Sequence, residues 1–177
     1  NDGGTPADIH YLGDPAARTG VYSFDTSRIQ LLACAETTSP GVTSALIAYC
    51  EQRGDMMFVG TAPDGVDVAG LKTYAAPSRA KKVRGALYAP WIAVVNPLDF
   101  NGSDPRLWVP PVGHVLGVYA RLATARGVWK APAGDEAVVQ NTSGTGTILG
   151  SVRETLKGMA KSPIKFVTSR EFLWIFF

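Results

Sequence analysis

Two short apolar runs flank one helix-length stretch between residues 29 and 60. Residues 29–34 (IQLLAC) and 55–60 (DMMFVG) have the length and composition of buried strands. Between them, Ser39 and Pro40 are placed to cap and begin a helix, and Gly54 is placed to end it. A strand, a helix and a second strand joined by short connections predict a βαβ unit with parallel strands.

The middle of the chain extends this pattern. Residues 86–95 predict one long third strand, in which Pro90 must occupy an edge, a bulge or the start. Residues 107–109 predict a short strand, and the prolines that follow predict a helix through Leu122. Residues 61–85 are ambiguous. The predicted fold class is therefore α/β, with a mixed sheet and flanking helices.

The character of the sequence changes after residue 127. Residues 141–147 (NTSGTGT) are typical of a flexible linker, an amphipathic helix is expected over 148–160, and residues 172–177 are entirely apolar. Two regions are expected: an α/β domain over 1–134 and a divergent, irregular C-terminal extension over 135–177.

Composition narrows the range of functions. The net charge of +2, from 17 basic and 15 acidic residues, argues against a general nucleic-acid surface. The basic run over 79–84 is either a solvated face or a contact with an acidic partner surface. No apolar run has the length of a membrane span, and residues near the start lack signal-peptide features. Cys34 and Cys50 lie in apolar segments and are expected to be buried thiols in a reducing compartment, the cytoplasm.

The sequence offers little for catalysis. The chain has two histidines, and His114 near a helix start is expected to have a structural role. The turn at Ser39 lacks both the dinucleotide and the Walker glycine patterns, and no metal-ligand spacing occurs. We therefore expect no enzyme activity, no cofactor and no metal. The alternative is a small α/β hydrolase or nucleotide-binding enzyme, with a site around Ser39, Asp99 and His114.

The tryptophans divide into two groups. Trp91 and Trp108 are expected to pack in the core. Trp129 lies beside Lys130 in a loop bounded by glycine and proline, where a core role and an interface role are equally compatible with the sequence.

Residues 10–134 resemble the central region of the contractile phage tail sheath family. Residues 86–98 (ALYAPWIAVVNPL), 109–121 (VPPVGHVLGVYAR) and 126–133 (RGVWKAPA) are similar, in order, to three motifs of that family. Weaker similarity extends over 11–22 (YLGD followed by RTGVY), 29–42 and 45–51.

This resemblance implies a structural subunit. Sheath subunits assemble with copies of themselves as helical rings around an inner tail tube, meet baseplate and tail terminator proteins, and contract to drive ejection through a host envelope. It implies location in a virion tail assembled in the bacterial cytoplasm, without direct contact with nucleic acid or insertion into a membrane. A bacterial injection system would have the same properties.

The resemblance also implies exchange of terminal strands between subunits, a form of strand addition to a sheet. The expected interface residues are Arg121, Trp129, Lys130, Phe172, Leu173, Trp174, Ile175, Phe176 and Phe177. Family members usually have a further N-terminal region and a further C-terminal domain, and residues 135–177 do not match the family's continuation. The chain is therefore expected to be a fragment, a short member or a divergent member.

Overall fold

The computed structural model describes residues 3–78, 84–99, 102, 105–132, 136–140, 142–145, 165–168 and 173–176. Its helices are α1 Asp8–Leu12, α2 Pro40–Arg53, α3 Val68–Ala75 and α4 Val112–Arg126, with 3-10 turns over Gly20–Thr26 and Ala76–Ser78. Its strands are β1 Leu31–Ala33, β2 Met57–Thr61, β3 Gly85–Ala89, β4 Ile92–Val95, β5 Arg106–Val109, β6 Gly144–Thr145, β7 Lys165–Thr168 and β8 Leu173–Phe176.

A five-stranded sheet in the order β1-β2-β3-β8-β7 forms the centre of the fold. Strands β1, β2 and β3 are parallel, with Leu31 opposite Met57 and Phe58 opposite Gly85. Strand β8 runs antiparallel to β3, and β7 runs antiparallel to β8. The predicted α/β class, the mixed sheet with flanking helices and the early βαβ unit are therefore confirmed.

Helices cover both faces of this sheet, because successive side chains of a strand point to opposite sides. Phe58 of β2 packs with α2 and α3, whereas its neighbour Val59 packs with α4. Both side chains are fully buried, and each such burial contributes about 1.5–3 kcal/mol relative to an exposed position. Two separate cores result, one on each side of the sheet.

Helix α2 begins and ends where the sequence predicts. Pro40 is its first residue, and Gly54 closes it in the left-handed region at φ 75°. Ser39 occupies the N-cap position, as predicted, but its side chain makes no capping hydrogen bond to the helix. Its hydroxyl donates instead to Oδ2 of Asp8, at 2.6 Å, and so joins α1 to the start of α2.

Helix α3 lies in the stretch that the sequence left ambiguous. The Asp67 side chain caps it by accepting a hydrogen bond from the backbone N–H of Gly70 at 2.7 Å. Leu71 and Tyr74 are the large side chains that it buries against the sheet. The glycine inside this short helix weakens its sequence signal.

The single strand expected over 86–95 is wrong. A cis peptide bond between Ala89 and Pro90 separates β3, in the large sheet, from β4, which lies between β5 and β6 in a second sheet of three strands. The Trp91 indole N–H donates to the Ala62 carbonyl at 3.0 Å, directly after β2. This bond holds the start of the second sheet at the carboxyl end of the parallel strands.

Other expectations have mixed outcomes. Cys50 is fully buried, but Cys34 is only half-buried. The helix predicted over 148–160 lies outside the described residues, as do residues 79–83 of the basic run, Asn141, Gly146 and Thr147. The division into 1–134 and 135–177 stays a prediction.

Candidate assembly surface

An open groove lies beside α4 at the amino ends of the three parallel strands. Each of these strands contributes a residue at its start, and the last turns of α4 and the loop after it form the opposite wall. The space has a volume of about 1020 Å³. The lining residues of this "α4 groove" are Gln30, Leu31, Met57, Arg84, Gly85, Tyr119, Ala120, Ala123, Val128, Trp129, Lys130, Ala131 and Pro132.

The loop after α4 presents Trp129 to solvent. Gly127 ends the helix with φ 94°, and the backbone N–H of Lys130 donates to the Gly127 carbonyl at 3.1 Å to close a turn. The indole lies against Gly127, where an added Cβ would come within 2.3 Å of the ring. Trp129 is 85% exposed, so its core alternative is wrong, and its place at an interface stays a prediction.

The charge of the α4 groove is positive. Arg84 and Lys130 line it, and none of its described lining residues is acidic. Arg126, at the end of α4, forms an ion pair with Glu136. Because most of the lining is aliphatic or aromatic, the groove combines an apolar surface with two cationic side chains.

Arg121 has contacts within its own chain. Its Nη2 donates to the backbone carbonyls of Glu136 at 3.3 Å and Val138 at 2.7 Å. These bonds hold the segment 136–140 on α4, where Ala137 is buried. The expected interface role of Arg121 is a prediction that these contacts do not address.

Two tyrosine hydroxyls join the groove wall to the sheet. The hydroxyl oxygens of Tyr88 on β3 and Tyr119 on α4 are 2.8 Å apart. Burial raises the pKa of both phenols above the ordinary value. Both hydroxyls therefore stay neutral at physiological pH and serve as hydrogen-bonding groups that fix α4 on the sheet.

The residues of the enzymatic alternative lie on separate elements. Ser39 precedes α2 and bonds to Asp8, whereas His114 is in the first turn of α4, on the opposite face of the sheet. Asp99 follows β4 in the connection to β5. None of the three lines the α4 groove.

A second exposed apolar surface belongs to the β4–β5 hairpin, residues 92–109. Ile92 at its base is fully buried, whereas Val95 is 73% exposed and Leu98 is 78% exposed. Trp108 is 44% exposed, so its predicted core position is wrong. Trp91 is half-buried at the base. In the sequence, this surface shows only as apolar residues next to a polar connection. Strand periodicity alone does not tell whether such residues are buried or exposed.

The C-terminal residues Leu173–Phe176 form β8 and pair with β3 of the same chain, with Leu87 opposite Ile175. Phe172 and Phe177 lie outside the described residues. Exchange of this strand with a neighbouring subunit stays a prediction.

Within the described ranges, no three histidine, cysteine, aspartate or glutamate side chains cluster as metal ligands would. No described helix has the length and apolar character needed to cross a bilayer.

No protein-family model and no curated protein matches the chain. The fold matches a chain in the cryo-EM structure of the anti-feeding prophage baseplate, determined with six-fold symmetry, at 22% identity and a TM-score of 0.58. The match covers 92% of this chain but only 40% of the other. The chain thus shares its fold with part of a larger subunit of a prophage baseplate structure.

Proposed function

We propose that the chain is a structural subunit of a contractile sheath, without catalytic activity, which assembles in rings around an inner tail tube. The observation that carries the proposal is the shared fold, over 92% of the chain, with a subunit from a six-fold symmetric prophage baseplate structure. A six-fold assembly requires each subunit to present surfaces to its neighbours.

The sheath-like motifs support the same role. Residues 86–98 form β3 and the start of the β4–β5 hairpin, residues 109–121 form most of α4, and residues 126–133 include the loop of Trp129. Together they contain strand β4, the exposed Leu98 that follows it, and one wall of the α4 groove. The exposed apolar residues of the hairpin and of the α4 groove described above thus come in large part from these motifs.

The test is the assembly state of the purified chain at increasing concentration. Negative-stain electron microscopy and sedimentation velocity are expected to show rings or tubes together with species larger than the monomer. A chain that stays monomeric up to its solubility limit contradicts the proposal.

A matched pair of variants tests the surface. Trp129→Ser removes an exposed indole and is expected to reduce assembly without changing the free energy of unfolding appreciably. Ile9→Ser removes an exposed aliphatic side chain on α1, away from the α4 groove, and is expected to assemble as the wild type does. Equal assembly of both variants would argue against a role for Trp129.

A further inference from the structure

We propose that the α4 groove binds an acidic, apolar segment of a second, different protein in the assembly. This contact depends on the proposed assembly role, for which it names the chemistry of one partner. Three observations lead to it: the residue types that line the groove, the cation on each of its walls, and the contacts that the described acidic side chains already make.

The lining of the groove has the composition of a protein interface. Trp129, Tyr119 and Met57 belong to residue types that are enriched where proteins meet. The small side chains of Ala120 and Ala123 leave space between the walls for the side chains of a partner. Since the indole of Trp129 is 85% exposed, it has area for this segment and for a neighbouring copy of the chain as well.

The polar side chains of the groove also favour a protein over a small ligand. A small-molecule site places a few polar groups inside a largely enclosed pocket, where they orient the ligand. Gln30, Arg84 and Lys130 are instead exposed to solvent. Exposed polar and charged side chains are typical of the rim of a protein interface, where they steer the approach of the partner.

A cation lies on each wall of the groove. Arg84 precedes β3 on the wall formed by the strand starts, and Lys130 belongs to the loop after α4 on the opposite wall. Within the described ranges, neither side chain takes part in an ion pair. The charge of Arg84 acts on Asp55, but that carboxylate already pairs with Arg53 at 2.7 Å. A segment that lies along the groove can therefore offer carboxylates to both walls while its apolar side chains cover the aliphatic and aromatic lining.

The acidic side chains of the chain itself favour a different protein over a second copy. Most of those that the structure describes already accept hydrogen bonds from groups of their own chain. Among them are Asp8, Asp25, Glu36, Asp55, Asp67 and Glu136. A second copy would thus present carboxylates whose oxygen atoms are already engaged.

The experiment measures peptide binding to the full chain at a concentration at which it is monomeric. The probe is a short blocked peptide of leucine, glycine and glutamate, and two matched peptides replace its glutamates with lysine or its leucines with serine. Isothermal titration calorimetry is expected to show at least about tenfold tighter binding of the leucine–glutamate peptide than of either match, because both charge and apolar contact contribute. Added salt should weaken this binding.

Charge reversal locates the binding site. Lys130→Glu and Arg84→Glu are each expected to weaken binding of the leucine–glutamate peptide by about tenfold and to strengthen binding of the leucine–lysine peptide. The matched control is Arg106→Glu, which reverses an exposed cation on β5 outside the groove and is expected to bind as the wild type does. Because Lys130 is exposed, the urea unfolding midpoint of Lys130→Glu should equal that of the wild type, which excludes misfolding as the cause.

The outcomes separate this contact from the assembly role. A preference for the leucine–glutamate peptide that Lys130→Glu reverses supports the contact, and in a chain that never forms rings it contradicts the assembly role alone. Absence of binding, or equal binding of the two charged leucine peptides, overturns the contact, whereas rings formed by the same chain leave the assembly role standing.

Two other occupants have their own signatures. If no peptide binds but Lys130→Glu reduces self-association, the groove belongs to a second copy. If no peptide binds but Lys130→Glu reduces binding to vesicles of phosphatidylcholine and phosphatidylglycerol, the groove belongs to an anionic membrane surface. Either result overturns the proposed contact.

Discussion

The hydroxyl oxygen of Tyr74 lies 2.8 Å from Oγ1 of Thr43, a buried contact that joins α3 to α2. The Tyr74 hydroxyl also donates to the Thr61 carbonyl at the end of β2, at 3.3 Å, so the Thr43 hydroxyl acts as the donor to Tyr74. The buried hydroxyl groups of Tyr74 and Thr43 thus connect α2, α3 and the end of β2 by hydrogen bonds. Buried polar groups keep their stabilising effect only while each has a partner.

Replacing Tyr74 with phenylalanine is expected to lower the free energy of unfolding by about 1–3 kcal/mol, because Thr43 and Thr61 lose their partner. Thr43→Val is expected to destabilise the chain less, since the Tyr74 hydroxyl keeps the Thr61 carbonyl. Urea unfolding of both variants and of the double variant measures the coupling. Strict additivity of the two effects would contradict a direct hydrogen bond.

Gly127→Ala is expected to lower the free energy of unfolding by about 1–2 kcal/mol, since alanine is strained at φ 94°. The added Cβ also displaces the Trp129 ring, which it would approach within 2.3 Å. Tryptophan fluorescence should therefore change along with the urea midpoint.

The matched control is Gly117→Ala, in the exposed interior of α4, where a Cβ meets nothing within 4 Å. This variant is expected to stabilise the chain by about 0.5–1 kcal/mol through helix propensity. Changes of opposite sign in the free energy of unfolding at positions 117 and 127 would show that the cost at Gly127 comes from its backbone conformation and its contact with the indole. Changes of the same sign in the free energy of unfolding would argue against this explanation.

The ion pair between Asp55 and Arg53 predicts that the stability of the folded chain depends on pH. Its hydrogen bonds from Arg53, at 2.7 and 3.1 Å, lower the pKa of the carboxyl group in the folded chain. A lowered folded-state pKa stabilises the protein above the unfolded value of about 3.9. That contribution disappears as pH falls through the folded-state pKa. The difference in the urea unfolding midpoint between wild type and Asp55→Asn should therefore be present at about pH 6 and vanish in strong acid.

The same Arg53 side chain also connects the end of α2 to the preceding 3-10 turn. Besides Asp55, its guanidinium donates to the carbonyls of Phe24 and Ser27 and so attaches the 3-10 turn over Gly20–Thr26 to the end of α2. Proteolysis near residue 24 is the local readout of this attachment. Unchanged midpoints of Asp55→Asn across the pH range would contradict the stabilising role of Asp55.

The two cysteines are expected to differ in reactivity. Burial raises the pKa of the Cys50 thiol to about 11, so little thiolate exists at neutral pH. Cys34 is half-buried on the edge of the same core. Alkylation of the native chain followed by mass spectrometry should label Cys34 first, and both residues should react after unfolding in urea. Equal labelling in the native state would contradict the burial of Cys50.

Local signals explain which elements the sequence predicts. Pro40 and Gly54 bound α2 through backbone restrictions that act within one turn, so its limits follow from the sequence. The signal for α3 is weaker because Gly70, the partner of its cap, lies inside the helix. Pro90 marks an interruption, but membership of β4 in a second sheet depends on pairing with distant residues.

The candidate surfaces are harder to predict for the same reason. The loop of Trp129 is recognisable from its glycine and proline boundaries, whereas the α4 groove also needs the starts of three strands that are distant in sequence. The exposure of Trp108 depends on which face of the second sheet is covered. Strand periodicity defines two faces but does not identify the buried one.

The short link between β3 and β4 has a mechanical consequence. Strand β2 on one edge and strand β8 on the other hold β3 by backbone hydrogen bonds, and only Pro90 and Trp91 separate β3 from the hairpin. A pull on the hairpin tip passes along the chain into β3 in the direction of that strand. The bonds on its two edges then share the load in shear, so tension applied to the hairpin reaches the centre of the sheet directly.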